Sequence, residues 1–189
     1  MTVYPFRTIM PPLNIPSNSD IRITVVRLYE QARQDNTQPF DPDRFLAFLS
    51  HPPAAKGKGV LDTFAGRYRL VRFFHAVQLE FGICFSNSDW DTGFTLDRFV
   101  ERIAAKMKNP VASRRRAAER LAEARGGGYL GFSILGLPFA IAAAAIENRF
   151  VRIPLALICI AIMIYAVVLN VKEYRFAKKL LKRIDGNLP

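Results

Sequence analysis

Cysteine is scarce in this chain. There are two in 189 residues, Cys84 in the N-terminal part and Cys159 in the middle of an apolar run. The two are expected in different media, so no disulfide joins them, and nothing points to an oxidising compartment. Histidine is equally scarce. Neither His51 nor His75 has a cysteine or a second histidine at metal-ligand spacing. No serine stands in a nucleophile elbow, and Cys84 has no neighbouring group that would activate a thiol. Residues 1–20 do not read as a secretory signal, because Pro5, Pro11, Pro12 and Pro16 interrupt the apolar core that such a signal needs. These absences leave no catalytic, cofactor-binding or metal-binding residue to assign, and an enzyme is not expected.

Charge is also missing, but only locally. Residues 129–146 (YLGFSILGLPFAIAAAAI) and 153–171 (IPLALICIAIMIYAVVLNV) contain no charged side chain, and only 147–152 separate them. Each run approaches the roughly 20 residues that carry a helix across a bilayer core. A buried soluble hairpin would need a large surrounding core, whereas roughly 125 residues precede the first run, enough for one small domain. The two runs therefore predict a transmembrane hairpin.

Against these uncharged stretches stands a net charge of +11. Much of the excess lies beside the runs. Arg114, Arg115, Arg116, Arg120 and Arg125 precede the first; Lys172, Arg175, Lys178, Lys179, Lys182 and Arg183 follow the second. The connecting loop offers only Arg149 and Arg152. The positive-inside rule then puts both termini in the cytosol and 147–152 outside. A bacterial inner membrane is the expected location.

Residues 1–18 read as an extended arm and 19–110 as a helical cytosolic domain. Ser19 or Asp20 is the expected cap of a first helix with Ile21, Val25, Leu28 and Ala32 at helical spacing, although the β-branched run 21–26 also suits a strand. Residues 31–38 read as a loop. Asp41-Pro42-Asp43 is a helix start, carrying Phe45, Leu46, Phe48 and Leu49 and ending at His51-Pro52-Pro53. Residues 54–59 read as a linker. The longest pattern is 60–85, with Phe64, Val71, Phe74, Val77 and Phe81 along one side, although 82–85 also suits an extended segment. After the turn-rich SNSDWDTG at 86–93, Thr95 caps a helix whose buried stripe is Leu96, Phe99, Ile103 and Met107, with Phe94 as a staple and Asn109-Pro110 as the stop. Residues 111–128 hold a basic juxtamembrane helix, 113–125, with a thin apolar side (Ala117, Ala118, Leu121, Ala122) and a glycine hinge. Three arginines at its start oppose the helix dipole, which anionic headgroups would compensate. The second span is expected to continue as one helix over 153–184, its basic face Lys172, Arg175, Lys179 and Lys182 opposite Tyr174, Ala177, Leu181 and Ile184. Residues 172–189 form the basic tail.

Several faint motifs fail on spacing. Asn87 to Gly93 begins like a calcium loop, but Thr92 and Arg98 stand where glycine and a bidentate glutamate are needed; a helix-capping turn is preferred, with Trp90 covering the core. The glycines around Lys58 lack the P-loop spacing. Arg67, Arg69 and Arg72 interleave with aromatics as in nucleic-acid sites, but those aromatics follow a core stripe, and no nucleic acid is expected. Within the spans, Gly131, Gly136, Ala140 and Ala144 are small residues at four- and five-residue spacing, and Ala156 and Cys159 make a comparable face on the second. Close helix packing in lipid uses such residues. Arg114, Arg115, Arg116, Arg120, Lys172, Arg175, Lys179 and Lys182 are the expected anionic-lipid contacts.

The fold class expected is mainly α: a small helical cytosolic domain, a two-helix transmembrane hairpin and an amphipathic basic C-terminal extension. The function expected is a protein-interaction or sensing module within a larger membrane assembly, its partners being anionic lipid and another protein or further copies of the chain. The alternative is an oligomerising, membrane-perturbing or pore-forming effector of a toxin or defence type. The spans carry only Ser133, Tyr165 and Asn170 as polar groups, too few for a resting aqueous pathway.

Overall fold

The computed structural model describes residues 16–33, 40–50, 60–86, 89–90, 93–127, 137–145 and 148–187. Its helices are α1 (Asn18–Ala32), α2 (Phe45–Ser50), α3 (Val60–Phe81), α4 (Leu96–Met107), α5 (Pro110–Arg125), α6 (Leu137–Ala145) and α7 (Arg149–Asn187). The fold is mainly helical, with no strand among the described residues. The chain divides into two compact units. One takes in Met1–Ser113 together with Arg183–Pro189, the other Arg114–Lys182. Most of the expected arm at 1–18, most of the loop at 31–38, the stop at 51–53 and the linker at 54–59 lie outside the described residues.

In the first unit the β-branched run 21–26 is helical, not extended. Ser17, rather than Ser19 or Asp20, caps α1, and Asp20 closes a capping box with it. Two donors at the helix start are satisfied this way, enough to overcome weak β preference once Ile21, Val25, Leu28 and Tyr29 are buried. Asp41 opens a turn instead of capping directly. Its Oδ1 accepts the Asp43 N–H at 2.9 Å, and α2 begins only at Phe45.

α3 packs against α1 and α2, and α1 also packs against α4. Between them lies an aromatic core. Phe73 and Phe99 are 5.8 Å apart by ring centroid, Phe45 and Phe99 5.7 Å, and Phe74 and Phe85 5.3 Å. Trp90 stacks on Phe74 at 4.5 Å, covering this core as expected. Each such pair adds roughly 0.5–1.5 kcal/mol beyond burial. The inward stripe of α3 is Leu70, Phe73, Phe74 and Val77, turned from the predicted one, with Val71 and Phe81 only half-buried.

α3 ends at Gly82, whose φ of 61° suits a residue without a side-chain carbon. The Ile83 N–H returns to the Gln78 carbonyl at 3.1 Å, a Schellman closure. Residues 83–86 are not helical. The fully buried Gln78 holds them: its Oε1 accepts the Phe85 N–H at 3.1 Å, and its Nε2 donates to the Phe74 carbonyl at 3.3 Å. The 183–187 end of α7 joins the same unit. There Ile184 is buried, and the Arg183 Nε donates to the Leu79 carbonyl at 3.3 Å.

α4 follows expectation, with Thr95 as its cap and Leu96, Phe99 and Ile103 buried. α5 starts earlier than expected. Pro110 does not only stop α4; it is the first residue of α5, and Asn109 Oδ1 accepts the Ala112 N–H at 3.1 Å. Arg114, Arg115 and Arg116 therefore lie beyond the first turn, where the dipole acts weakly, so the opposition expected there is largely removed.

The expected hairpin is reduced to one candidate span. Among the described residues only the helix at Phe150–Asn187 is long and apolar enough to cross a membrane. α6 has nine residues, about 14 Å at 1.5 Å per residue, short of a bilayer core. Residues 129–136 and 146 of the first run lie outside the described part.

Candidate membrane interface

α7 is 39 residues long, and all of it up to Lys182 belongs to the second unit. The single helix expected over 153–184 is present and extends at both ends, running through Gly186 to Asn187. Its uncharged stretch, 153–171, rises about 28 Å at 1.5 Å per residue, close to the roughly 30 Å of a bilayer core. Large side chains point outward on several sides of it: Ile153, Ile158, Ile160, Met163, Ile164, Tyr165 and Val168 are all exposed. Only 6% of the apolar window is buried. A helix apolar on every side belongs either in a protein core or in lipid, and this one is not covered by protein. Its composition and exposure are compatible with membrane insertion. Pro154 sits within it, near one end, where water and neighbours can satisfy the freed carbonyl.

At the end of the apolar stretch, α7 meets α5. The Asn170 Nδ2 donates to the Ala124 carbonyl at 3.0 Å, which also accepts the Gly127 N–H at 3.3 Å in the turn that closes α5. The Arg120 guanidinium pairs with Glu173 and lies over the Phe176 ring at 4.9 Å. Numbers rise along α5 as they fall along α7, so the two helices run antiparallel. Small buried residues face inward here: Ala117 and Ala124 on α5, Ala166 and Ala177 on α7. The inner line of α7 is thus Asn170, Glu173, Ala177 and Leu180, not the predicted line through Tyr174 and Leu181, both only half-buried. On α5 it is Ala117, Arg120 and Ala124; Ala118 and Ala122 are exposed.

The eight expected lipid-contact residues separate accordingly. Arg114, Arg115, Lys172, Arg175, Lys179 and Lys182 are exposed and Arg116 is half-buried. Arg120 is turned inward, its side chain 20% exposed and that of Glu173 11%. Of the packing residues, Gly131 and Gly136 lie outside the described part. Ala140 and Ala144 are in α6, with Ala140 half-buried, and Ala156 and Cys159 are half-buried on α7.

Among its described residues the first unit holds a concentrated polar site around Asp89. Asp89 is buried. Its carboxylate accepts the Ser86 N–H at 2.6 Å and the Arg102 Nε at 2.6 Å, and pairs with Lys106 Nζ at 2.7 Å. Burial alone would raise this carboxyl, but the bonds from Lys106, Ser86 and Arg102 outweigh it and hold the group far below its ordinary range. The arrangement ties the 86–90 loop to α4. Two basic side chains, Arg102 and Lys106, already neutralise the carboxylate, which makes it a structural tie. Cys84 is buried. His75 is half-buried, 6.4 Å from the Trp90 ring. Among the described residues no group of three or more His, Cys, Asp or Glu could hold a metal ion.

No protein-family model, curated protein or solved structure matches the chain.

Glu173, Asn170 and Asp89 are the residues that sequence reading passed over as organisers. Glu173 left one trace: it is the only acid between Lys172 and Lys182. Asn170 was noted only as a polar residue in an apolar run.

Proposed function

We propose that this protein is a non-enzymatic interaction or sensing subunit held in a membrane, with its first unit and both termini on the cytosolic side. The observation that carries the anchor is the exposed apolar surface of α7, continuous over a bilayer's thickness. In water such a surface would far exceed the patches of a few hundred Å² that soluble monomers leave open.

A second crossing finds support in the membership of the first unit. Residues up to Ser113 and those from Arg183 fold into one compact unit, so both must stand on the same side of any membrane. The chain between them then crosses an even number of times. With α7 as one crossing, the 129–146 run is the natural other. The basic residues flanking both runs favour the cytosolic side for that unit. An interaction role is supported by how the first unit spends its charged groups. Arg22 pairs with Asp97 at 2.6 Å and Arg27 with Glu80 at 2.8 Å, and Asp89 binds its loop to α4. These groups join helices to one another instead of converging on a cleft.

Single-cysteine labelling tests the topology in a background lacking Cys84 and Cys159. Asn148→Cys should react with an impermeant maleimide in intact cells, and Lys179→Cys only after lysis. Protection at 148 or reaction at 179 in intact cells overturns it. Purification in nanodiscs should then yield a stoichiometric complex with a second protein. A pure homo-oligomer accompanied by dye leakage would replace the interaction reading with the permeabilising one.

A further inference from the structure

We infer that anionic-lipid contact is confined to a collar of three cations, Arg125 on α5 and Lys172 and Arg175 on α7, that takes the phosphodiester headgroups of anionic glycerophospholipids. This rests on the membrane reading above and narrows it from eight basic residues to three, one of them not among the eight.

The level of the collar is set by the Asn170–Ala124 bond, 3.0 Å long. It places the C-terminal turn of α5 beside the last residues of the apolar stretch. Arg125 is therefore about 1.5 Å along the α5 axis from the bonded level, while Lys172 and Arg175 are about 3 and 7.5 Å along α7, at 1.5 Å per residue. All three are exposed. Each falls within the roughly 8 Å Debye length of physiological salt, and their aliphatic stems let the charges reach the headgroup plane. Arg125 also sits in the last turn of α5, where a cation complements the dipole.

The remaining basic residues stand too far away. Lys179 and Lys182 are about 13 and 18 Å beyond Asn170, and Arg115 is about 13 Å from Ala124. A typical tilt of about 20° shortens these heights by only a few per cent. Beyond a headgroup layer about 5–7 Å deep these residues stand roughly 6–12 Å into solution, out of direct contact, where screening over about 8 Å cuts the headgroup field to about a half to a quarter.

The antiparallel pair also determines the sign of the collar. Glu173 lies among its residues and would cancel one charge, but Arg120 covers it and both side chains are largely buried. The exposed Glu123 is two residues from Arg125, so it projects from the opposite flank of α5. Glu119 is also exposed, about 7.5 Å along α5 from Ala124, and pairs with Arg115. Three cations against these two outward acids leave the collar positive by one. Phosphodiester headgroups of the same leaflet are the partner at that height, because the apolar stretch beside it ends there.

The test uses the full chain in nanodiscs containing equal phosphatidylglycerol and phosphatidylcholine, with the lipids retained on the protein counted by mass spectrometry. Wild type should retain phosphatidylglycerol several-fold over phosphatidylcholine, since each basic residue near such a surface contributes about fivefold in affinity. The triple variant Arg125→Gln, Lys172→Gln, Arg175→Gln should fall to the bulk ratio. The charge-matched triple Lys178→Gln, Lys179→Gln, Lys182→Gln, all exposed, should stay close to wild type. Equal losses in both triples, or none in the first, overturn the collar. Wild type that alkaline carbonate strips from membranes defeats the membrane reading itself, whereas wild type that resists stripping but shows no preference defeats only the collar.

Discussion

The two units use the same class of side chain in opposite ways. In the first, Phe45, Phe73, Phe74 and Phe99 are fully enclosed by one another and by α1, α3 and α4. In the second, Ile153, Leu157, Ile160 and Ile164 line a helix and face outward. Apolar content alone does not separate a core from a membrane surface. What separates them is amphipathicity: α4 carries Asp97, Arg98, Glu101 and Arg102 opposite its buried stripe, while the 153–171 stretch of α7 has no charged face.

The sharpest way to break this contrast is to cut equivalent side chains from each unit. Trp90, the sole tryptophan, reports on the first unit through its stack on Phe74. Phe99→Ala should destabilise the Trp90-monitored transition by about 3–5 kcal/mol, the usual cost of emptying an aromatic site in a core. Ile160→Ala should move it by about 0.5 kcal/mol or less, the range of substitutions remote from a packed core. Similar shifts for the two would mean that α7 is enclosed after all.

A smaller effect is expected at the polar tie of the first unit. Asp89→Asn removes the charge facing both Arg102, half-exposed, and Lys106, mostly buried, and should cost about 2–3 kcal/mol, the range for lost bonds between charged groups. The sign of the pH dependence follows from the depressed carboxyl. In the unfolded chain Asp89 titrates near its ordinary 3.8, so the folded form gains stability above that pH and loses it progressively as pH falls below it. Denaturant midpoints of wild type should therefore drop between pH 5 and 3 more steeply than those of Asp89→Asn. Parallel curves would remove Asp89 from the account.

The smallest expected effects concern glycine. Gly82 has a φ of 61° and Gly127 one of 78°, both in the region that L side chains occupy at about 1–2 kcal/mol. A side-chain carbon on Gly82 would also stand 2.6 Å from the Asn187 Nδ2, the free end of a side chain that can shift. Gly82→Ala should lower the Trp90 transition by about 1–2 kcal/mol, and Gly127→Ala should leave it in place, because its strain falls in the other unit. A shift of equal size at Gly127 would show that the two units unfold together.

Legibility in the sequence followed the range of the interaction. α4 was readable throughout, since Thr95, the 3.6-residue stripe and the stop are all local. The start of α5 was misplaced because proline both stops one helix and begins the next, and only the Asn109 cap decides which. The faces of α3, α5 and α7 were read slightly rotated, since the inward direction depends on which helix lies opposite. Arg120 and Glu173 are 53 positions apart, and the periodicity of either helix does not reveal their meeting. Arg120 looked like one more surface cation until its partner was visible. The second apolar run was readable as a helix from charge and length alone, and the first shows only the nine-residue α6 in the described part.

The bond from Arg183 to the Leu79 carbonyl joins positions 104 apart, and it has a consequence for the order of synthesis. Domains generally fold as units while the chain grows from its N-terminus. Here the first unit receives Ile184 and its neighbours only after both apolar runs have been made. Until then the nascent chain presents an unfinished globule followed by long apolar stretches, so the last step of folding waits until those stretches have been synthesised. A ribosome stalled just after position 171 should hold a first unit that proteases cut more readily than they cut the finished protein.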